Sequence, residues 1–472
     1  MADIKEFIVA IDLGSSKVTA IAGRKQPDGA IEVLAFMQEP SQSFIRKGRI
    51  SNIDKMTQCA KNIKEYLEKK LNKRISKAYV GIGGMGMHTV TNTIQRTFSE
   101  KHIISQDIME ALRAENLQKA TPERHILGTV PQEYKVGTQF TNEPVGMLAD
   151  TLEARYLNIV ANSSLSDQIR NCFRAAGIEV AEMPITVLRL ADVMLTEPEK
   201  RSGCVFVDMG AETTSVSVFK SNMLRHLAVI PLGGANITRD ITSLQVEEDE
   251  AETLKLKWGA AITNGGDNNP PIVTSDGREF PYTEFSGLIE ARVEEIVLNI
   301  KKQIELTNYE KNQLVAGVII TGGASMLKNM ESVVAKLVGI EKLRVVKNTR
   351  FSIRGPKNLN VDPVREGDYA AALALIEQAE QNCCGGELNE ETPQLFEQEE
   401  PVAPVVQELL VEPVVEVVAE PTPEPVVEET PEGPAETEEE EVEVPEEPKK
   451  PNAIVRGVKS FGSWLGKLVN DD

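Results

Sequence analysis

One local design occurs twice in this chain of 472 residues, about 196 positions apart, and it constrains the fold more than any other feature. The first copy is an apolar strand followed by Asp12, Gly14, Ser15, Ser16 and Lys17. The second copy is an apolar strand followed by Asp208, Gly210, Thr213 and Thr214. In each copy, the alternating residues after the bend predict that the chain returns as a β-hairpin. Two such hairpins predict two related half-domains that hold one nucleotide phosphate chain between them.

The chemistry of each bend explains this prediction. Glycine lets backbone N–H groups turn toward an anion, hydroxyl groups donate further hydrogen bonds, and a carboxylate at the strand end can hold a hydrated Mg²⁺. Lys17 adds a point charge for phosphate. A single Asp-x-Gly is also an ordinary turn at the end of a strand, so the interpretation depends on the two copies having matching contexts.

Two further segments follow the second hairpin. Gly233 and Gly234 form a glycine turn that opens a helix, for which Thr238 is a plausible cap. Glu252 and Lys255 lie three residues apart and therefore on one face of the next predicted helix. That pair either meets a ribose and a base or is a solvated ion pair.

A fourth segment is a buried strand that breaks into a Gly-Gly turn. The strand begins at Gly317, and Gly322 and Gly323 form the turn before a helix start. Such a turn allows a flat adenine to approach the backbone closely.

The order of these segments resembles that of the actin, sugar kinase and Hsp70 ATPase superfamily. Within it, the chain most resembles the FtsA family of bacterial cell-division proteins, because Val130–Tyr134 and Asn142–Met147 match the signature of that family's extra subdomain. The resemblance runs from about residue 5 to 380 and again at the extreme C-terminus. It implies an α/β, two-lobed actin-like ATPase fold with an inserted FtsA-type subdomain, a disordered acidic linker and a C-terminal amphipathic helix.

The resemblance implies ATP and Mg²⁺ as ligands and carries roles onto matching positions. Asp12 and Asp208 would orient Mg²⁺ and its waters. The β- and γ-phosphates would be held by Gly14, Ser15, Ser16 and Lys17 on one side and by Gly210, Thr213 and Thr214 on the other. The remaining nucleotide-binding positions would be Gly233 and Gly234, Glu252 and Lys255 at the ribose and adenine edges, and Gly322 and Gly323 behind the base.

The second loop departs from the commoner pattern of the superfamily, Asp-x-Gly-Gly-Gly-Thr-x-Asp. Ala211, Glu212 and Ser215 stand where two glycines and an aspartate would be. Glu212 is expected either to repel phosphate or to point to solvent. Because no residue stands out as a general base, the catalytic residues are unknown, and ATP binding with at most slow hydrolysis is expected.

Residues 81–86 fit the dinucleotide pattern G-x-G-x-x-G but are followed by the β-branched, alternating residues 88–94. No helix N-terminus is therefore expected there to receive a pyrophosphate. The segment is interpreted as a flexible crossing into an inserted subdomain.

The formal charge of −21 is concentrated in one segment. Residues 387–450 contain 22 of the 72 acidic and 2 of the 51 basic residues, which leaves 50 acidic against 49 basic residues elsewhere. This proline-rich segment is expected to be disordered and self-repelling.

The last segment, 451–472, regains aromatic and basic residues, and its helical periodicity groups apolar side chains on one face with basic ones opposite. This pattern is typical of a helix in a membrane interface, although a protein groove would suit the same anchors. The predicted membrane-binding residues are Ile454, Arg456, Val458, Lys459, Phe461, Trp464, Leu465, Lys467 and Leu468.

The expected domains are lobe 1 at 1–84 with 160–200 and 358–385, the inserted subdomain at 85–159, lobe 2 at 201–357, the linker at 386–450, and the membrane-targeting helix at 451–472. Lobe 2 is expected to carry the site for the C-terminal tail of FtsZ. No run of about 20 apolar residues, no signal peptide and no C-x-x-C pair is present, which is typical of a soluble cytoplasmic protein with reduced thiols.

The leading hypothesis, which the resemblance implies, is an ATP-binding cell-division protein that polymerises on the cytoplasmic face of the cell membrane at the septum. There it would anchor FtsZ filaments, associate with itself and help recruit downstream division proteins. Its C-terminal tip, residues 451–472, would bind anionic lipid, and no nucleic-acid partner is expected. The alternatives are a pilus-assembly or MreB-like scaffold or a small-molecule kinase of the same superfamily; an Hsp70-type chaperone is disfavoured because a disordered acidic segment stands where a peptide-binding domain would be.

Overall fold

Two large β-sheets organise the chain in this computed structural model. The structure describes residues 6–119, 124–263, 269–355 and 369–388, all within one compact unit, Met1–Gln394. The predicted membrane helix lies outside the described residues, as does the predicted linker after residue 388. Within the described ranges, no helix combines the length and the apolar character that a membrane span requires.

The first sheet has the order β12-β7-β1-β2-β3-β20. Its strands are β1 (Ile8–Leu13), β2 (Lys17–Lys25), β3 (Ile31–Pro40), β7 (Lys77–Gly81), β12 (Glu179–Glu182) and β20 (Ile353–Arg354). Strand β1 is antiparallel to β2 and parallel to β7. Because β20 pairs with β3, the chain has returned to this sheet a few residues before the predicted boundary at 358.

The second sheet has the order β10-β9-β11-β8-β15-β14-β13-β18-β19. Its strands are β8 (His88–Ile103), β9 (Arg124–Val136), β10 (Gln139–Thr141), β11 (Leu148–Asn162), β13 (Cys204–Met209), β14 (Thr214–Lys220), β15 (Met223–Ile230), β18 (Gly317–Thr321) and β19 (Leu343–Val345). As predicted, a strand and not a helix follows the glycines at 81–86.

Three short ladders, ten α-helices and four short 3-10 or π-helical segments complete the described part of the chain. The ladders are β4 (Ile45–Arg46) with β5 (Arg49–Ile50), β6 (Lys73–Ile75) with β21 (Cys384–Glu387), and β16 (Ile272–Val273) with β17 (Glu279–Phe280). The helices are α1 (Ile53–Leu71), α2 (Gln106–Gln118), α3 (Ser164–Ala175), α4 (Thr186–Met194), α5 (Glu197–Ser202), α6 (Gly234–Ile241), α7 (Glu248–Trp258), α8 (Tyr282–Glu305), α9 (Met330–Val334) and α10 (Ala370–Gln378).

Local sequence explains the helix ends. The Asn52 side chain accepts a hydrogen bond from the Lys55 N–H at the start of α1, and Asn72 ends this helix in the left-handed conformation. At the start of α2, the Ser105 hydroxyl accepts from the Ile108 N–H, and Asp107 lies in the first turn.

Separate cores fill the three packed regions. The first surrounds Phe7, Tyr79 and Phe173, and the second packs α8 against the second sheet around Phe285. A smaller core around Leu152 lies among β8, β9, β11 and α2. Burial of these side chains is the main favourable term in holding each region together.

The inserted part of the second sheet joins the rest at a narrow seam. In the described residues, β15 and β8 share the single cross-strand pair Ala228 with His88. Side chains supply more bonds: the Leu227 N–H donates to the Thr89 hydroxyl at 3.0 Å, and the Gln132 amide donates to the Leu224 carbonyl at 3.0 Å. Gln132 belongs to the Val130–Tyr134 motif, so this motif helps attach the inserted strands to β15.

Candidate functional site

The two Asp-x-Gly hairpins have the same register. In the first, Asp12 lies opposite Thr19, and residues 14–17 form the connecting loop. In the second, Asp208 lies opposite Ser215, and residues 210–213 form the loop. The predicted hairpins are therefore confirmed, and their carboxylates occupy equivalent positions in the two sheets.

The parallel neighbours of the two strands are equivalent as well. Asp12 lies beside Gly81 at the end of β7, and Asp208 lies beside Thr321 at the end of β18. Each neighbour then runs into glycines, at 83–84 and at 322–323. The glycines at 81–86 are thus the counterpart of the predicted Gly-Gly turn. The sequence interpretation missed this relationship, because a long strand follows the first glycines and a helical turn follows the second.

The two carboxylates have high proton affinity. Burial and then the charge of Asp208 raise the pKa of Asp12 to about 7, although a hydrogen bond from Thr186 and the charge of Lys17 act in the opposite direction. Burial also raises the pKa of Asp208 to about 6. The Thr186 hydroxyl donates to Asp12 Oδ1 at 3.2 Å, a contact that the sequence interpretation did not include. A bound cation would stabilise the ionised form of two such carboxylates, because it offsets their burial and their mutual repulsion.

The donor chemistry therefore fits a hydrated Mg²⁺. Within the described ranges no group of three His, Cys, Asp or Glu side chains could ligate a metal directly. Two carboxylates with most of the remaining ligands supplied by water and phosphate are what Mg²⁺ commonly takes.

The turn after β18 lies directly against Asp208. Gly322 has a φ of +90°, and a Cβ at this position would lie 2.5 Å from Asp208 Oδ1 and 2.4 Å from the Met209 carbonyl oxygen. Only glycine fits this conformation and this contact without strain. A Cβ on Gly323, in contrast, would have no neighbouring atom within 4 Å, so the backbone of Gly323 faces open space.

The second loop is docked on the start of α6. The Gly234 and Ala235 N–H groups donate to the carbonyl oxygens of Gly210 and Ala211, at 3.0 and 2.7 Å. A Cβ on Gly233 would lie 2.5 Å from the Gly210 carbonyl oxygen. In the structure, this glycine turn therefore fixes the second loop.

The predicted Glu252 and Lys255 pair lies beside α6. Lys255 Nζ is 2.6 Å from Glu252 Oε2, and it donates to the Thr238 hydroxyl at 2.9 Å and to the Gly234 carbonyl at 3.2 Å. Lys255 is buried, whereas the Glu252 side chain is 44% exposed. The pair is thus held against the glycine turn and is not a freely solvated ion pair.

The hydroxyl residues of the loops have different surroundings. Ser15 is buried, and its Oγ accepts from the Gly48 N–H at 2.9 Å. Thr214 is buried too and donates to the Leu232 carbonyl at 2.8 Å. Ser16 and Thr213 are partly exposed in the loops.

Neither expectation for Glu212 is correct. Its carboxylate is buried and does not point to solvent, and it is held by donors and not left free to face phosphate. It accepts from the Lys47 N–H at 2.6 Å and pairs with Arg46 at 3.2 Å and with Arg239. The sequence interpretation missed this because Lys47 precedes Glu212 by 165 residues.

Two family profiles match this chain. The one described as "Cell division protein FtsA" matches residues 205–374, and the one described as "SHS2 domain inserted in FTSA" matches residues 84–160. The chain is 30% identical over 347 residues to a cell division protein FtsA of Porphyromonas gingivalis, covering 72% of each chain. It is 28% identical over 411 residues to that of Pseudomonas aeruginosa, covering 86% of this chain and 96% of the relative.

A solved structure shares the fold. A chain of the PilM–PilN type IV pilus biogenesis complex superposes with a TM-score of 0.52 and 16% identity, covering 78% of this chain and 97% of that chain. The predicted α/β actin-like ATPase fold with an inserted subdomain is thus confirmed.

Proposed function

Because this chain belongs to the FtsA family of cell division proteins, we propose that it binds Mg²⁺·ATP between its two Asp-x-Gly loops and links FtsZ filaments to the cell membrane. In this proposal it polymerises on the cytoplasmic face of the membrane at the septum and helps recruit later division proteins. Its C-terminal tip holds each subunit on anionic lipid.

The observation that carries the nucleotide part is the pair of equivalent carboxylates. Asp12 and Asp208 end matched hairpins, and the pKa of each is raised by burial. When bound, Mg²⁺ would neutralise charge on the phosphates and on these two aspartates. The Ser15 hydroxyl accepts from the Gly48 N–H and retains its own proton, which it would donate to a phosphate oxygen.

The arrangement of residues predicted from the sequence also supports the adenosine side of the proposed site. Lys255 and Glu252 are tied to the helix start at Gly234, and the exposed backbone at Gly323 offers a surface for a flat base. No side chain is assigned as a general base. Binding-controlled assembly with at most slow hydrolysis is therefore proposed.

The membrane part is supported by the sequence of residues 451–472, whose apolar and basic faces suit a lipid interface. Each basic residue near an anionic leaflet contributes about 1 kcal/mol, so a single tip would bind reversibly. Many tips on one filament would bind together by avidity.

Co-sedimentation with liposomes tests this proposal. The full chain and a chain ending at Lys450 are each mixed with Mg²⁺·ATP and anionic vesicles, with and without FtsZ. FtsZ is expected in the vesicle pellet only with the full chain. If the full chain binds neither the vesicles nor FtsZ, the adaptor function is wrong. Neutral vesicles are the control for the effect of lipid charge.

A further inference from the structure

Glu212 connects the two sides of the proposed nucleotide site before any ligand is bound. It lies in the second loop, in the second sheet's hairpin, and one of its partners, Arg239, lies in α6 of the same half. Its other two partners, the Lys47 N–H and the Arg46 side chain, belong to the β4–β5 turn, residues 45–50, which follows the first sheet. Its side chain is only 6% exposed, whereas Arg46 is 56% exposed. A carboxylate buried to this extent is stable only when it is paired and hydrogen-bonded.

The β4–β5 turn presents two consecutive amides to the two loops. Lys47 and Gly48 both have positive φ, at 50° and 72°. Successive N–H groups in such a conformation can point in a common direction and attract anions. The Lys47 N–H donates to Glu212 of the second loop, and the Gly48 N–H donates to Ser15 of the first loop.

The same turn is packed against the crossing at 81–87. The Met85 N–H donates to the Lys47 carbonyl at 2.8 Å, and Arg49 Nε donates to the Met85 carbonyl at 2.9 Å. A Cβ on Gly48 would lie 2.4 Å from the Gly84 Cα. A shift of the turn would therefore displace the crossing, which leads directly into the inserted strand β8.

We propose that Glu212 is a positioning residue that clasps the second loop to the β4–β5 turn and so holds the two phosphate loops together without nucleotide. In a site of this kind the bound phosphates normally bridge the loops. Here an internal carboxylate supplies one bridge. Closure of the site then depends less on nucleotide than it would with glycine at position 212, and the inserted subdomain is held in the same arrangement through the crossing.

Hydrogen exchange of the ligand-free full chain tests the clasp. Peptides covering 44–50 and 83–87 are followed in the wild type, in Glu212→Gln, which keeps the shape, and in Glu212→Ala. Loss of a hydrogen bond to a charged acceptor should speed exchange in these peptides about 10-fold to 100-fold. Arg46→Ala, which keeps the Lys47 bond, should give a smaller increase.

Glu199→Ala is the matched control. Glu199 also accepts from a backbone N–H, that of Thr196, and pairs with Arg344, but it lies away from the two loops in α5. Its substitution should leave exchange at 44–50 and 83–87 unchanged. The proposal that Glu212 holds the second loop to the β4–β5 turn is wrong if both Glu212 variants exchange like the wild type in these peptides. It is also wrong if their exchange rises equally across the whole second sheet.

A second arm adds Mg²⁺·ATP, and it rests on the proposed nucleotide site. ATP should restore protection in the Glu212 variants and change the wild type little, a difference that loss of general stability would not produce. If the wild type does not bind ATP, the proposed function is at fault, while the ligand-free comparison still decides the clasp. If ATP protects the wild type and the variants by the same factor, Glu212 does not substitute for a phosphate bridge, and the proposal is overturned.

Discussion

Asp12 lies within electrostatic range of Asp208, and burial together with this second carboxylate raises the pKa of Asp12 to about 7. Burial raises the pKa of Asp208 to about 6. Since both values exceed the ordinary value of 3.8, the folded protein retains protons that the unfolded chain has released. The stability linked to these protons is present below about pH 4 and is lost as the pH rises through 6 and 7.

The melting temperature of the ligand-free protein is therefore expected to fall between pH 5 and pH 8. Asp12→Asn should flatten this slope, because it removes one of the two groups and the repulsion between them. Mg²⁺·ATP should stabilise the wild type most at the upper end of this range, where both carboxylates are ionised. Thermal shift measured at each pH checks the prediction, and a wild-type slope that Asp12→Asn leaves intact would contradict it.

Gly322 and Gly323 should respond differently to the same substitution. Gly322→Ala places a methyl group against Asp208 and the Met209 carbonyl at a positive φ, so we expect a loss of stability of about 1–3 kcal/mol. Gly323→Ala meets no protein atom within 4 Å and should leave the melting temperature unchanged. If adenine lies against this backbone, Gly323→Val should nevertheless weaken ATP binding about 10-fold or more, as measured by titration with a fluorescent ATP analogue. Unchanged affinity would remove Gly323 from the proposed site.

Asn116 and Asn158 exchange side-chain hydrogen bonds in the interior of the inserted region, at 2.7 and 2.9 Å. Asn158→Leu leaves the buried Asn116 amide without this partner, which should cost about 1–3 kcal/mol. The loss should appear as faster proteolysis within 88–162 and little change elsewhere. Gln139→Ala, at an exposed position on the edge strand β10, is the control and should be neutral.

A single charge on the apolar face of the predicted C-terminal helix should release the protein from lipid. Leu465→Glu places a carboxylate among the side chains expected to enter the bilayer interface, and vesicle binding should fall at least about 10-fold. Ser463→Ala, on the opposite side of the predicted helix, should bind like the wild type. Flotation with anionic vesicles measures both. Equal binding of the two variants would favour a protein groove or another contact over lipid.

The local parts of the site could be read from the sequence because they depend on short-range rules. A strand that ends in Asp-x-Gly and is followed by alternating residues usually forms a β-hairpin. Both predicted hairpins are present, and their registers match. The Gly-Gly turn at 322 was predictable for the same reason. The predicted cap Thr238 was wrong, because α6 begins at Gly234 and Thr238 lies inside this helix. Thr186 was not predictable, because it lies 174 residues from Asp12 and its own segment carries no motif.

The position of Glu212 could not be predicted from short-range rules, because its partners lie far away in the sequence. Its charge and its neighbours suggested either repulsion of phosphate or exposure, whereas the fold brings it to the backbone of Lys47. The glycines at 81–86 form a recognisable pattern in the sequence, but the pattern does not indicate their contact with Gly48. The backbones of Gly48 and Gly84 approach so closely that a Cβ on either residue would collide with the other. Such contacts form between segments far apart in the chain, so no short window of sequence contains them.

The seam between β15 and β8 has a consequence for how proteins of this architecture diverge. Most sheet joints consist of backbone hydrogen bonds, which no substitution except proline removes. Here a threonine hydroxyl and a glutamine amide do much of the joining, at Thr89 and Gln132. A single base change in a codon can thus loosen or restore the attachment of the inserted subdomain while the fold is kept. Evolution can tune the stiffness of this joint one residue at a time, and so can protein engineering.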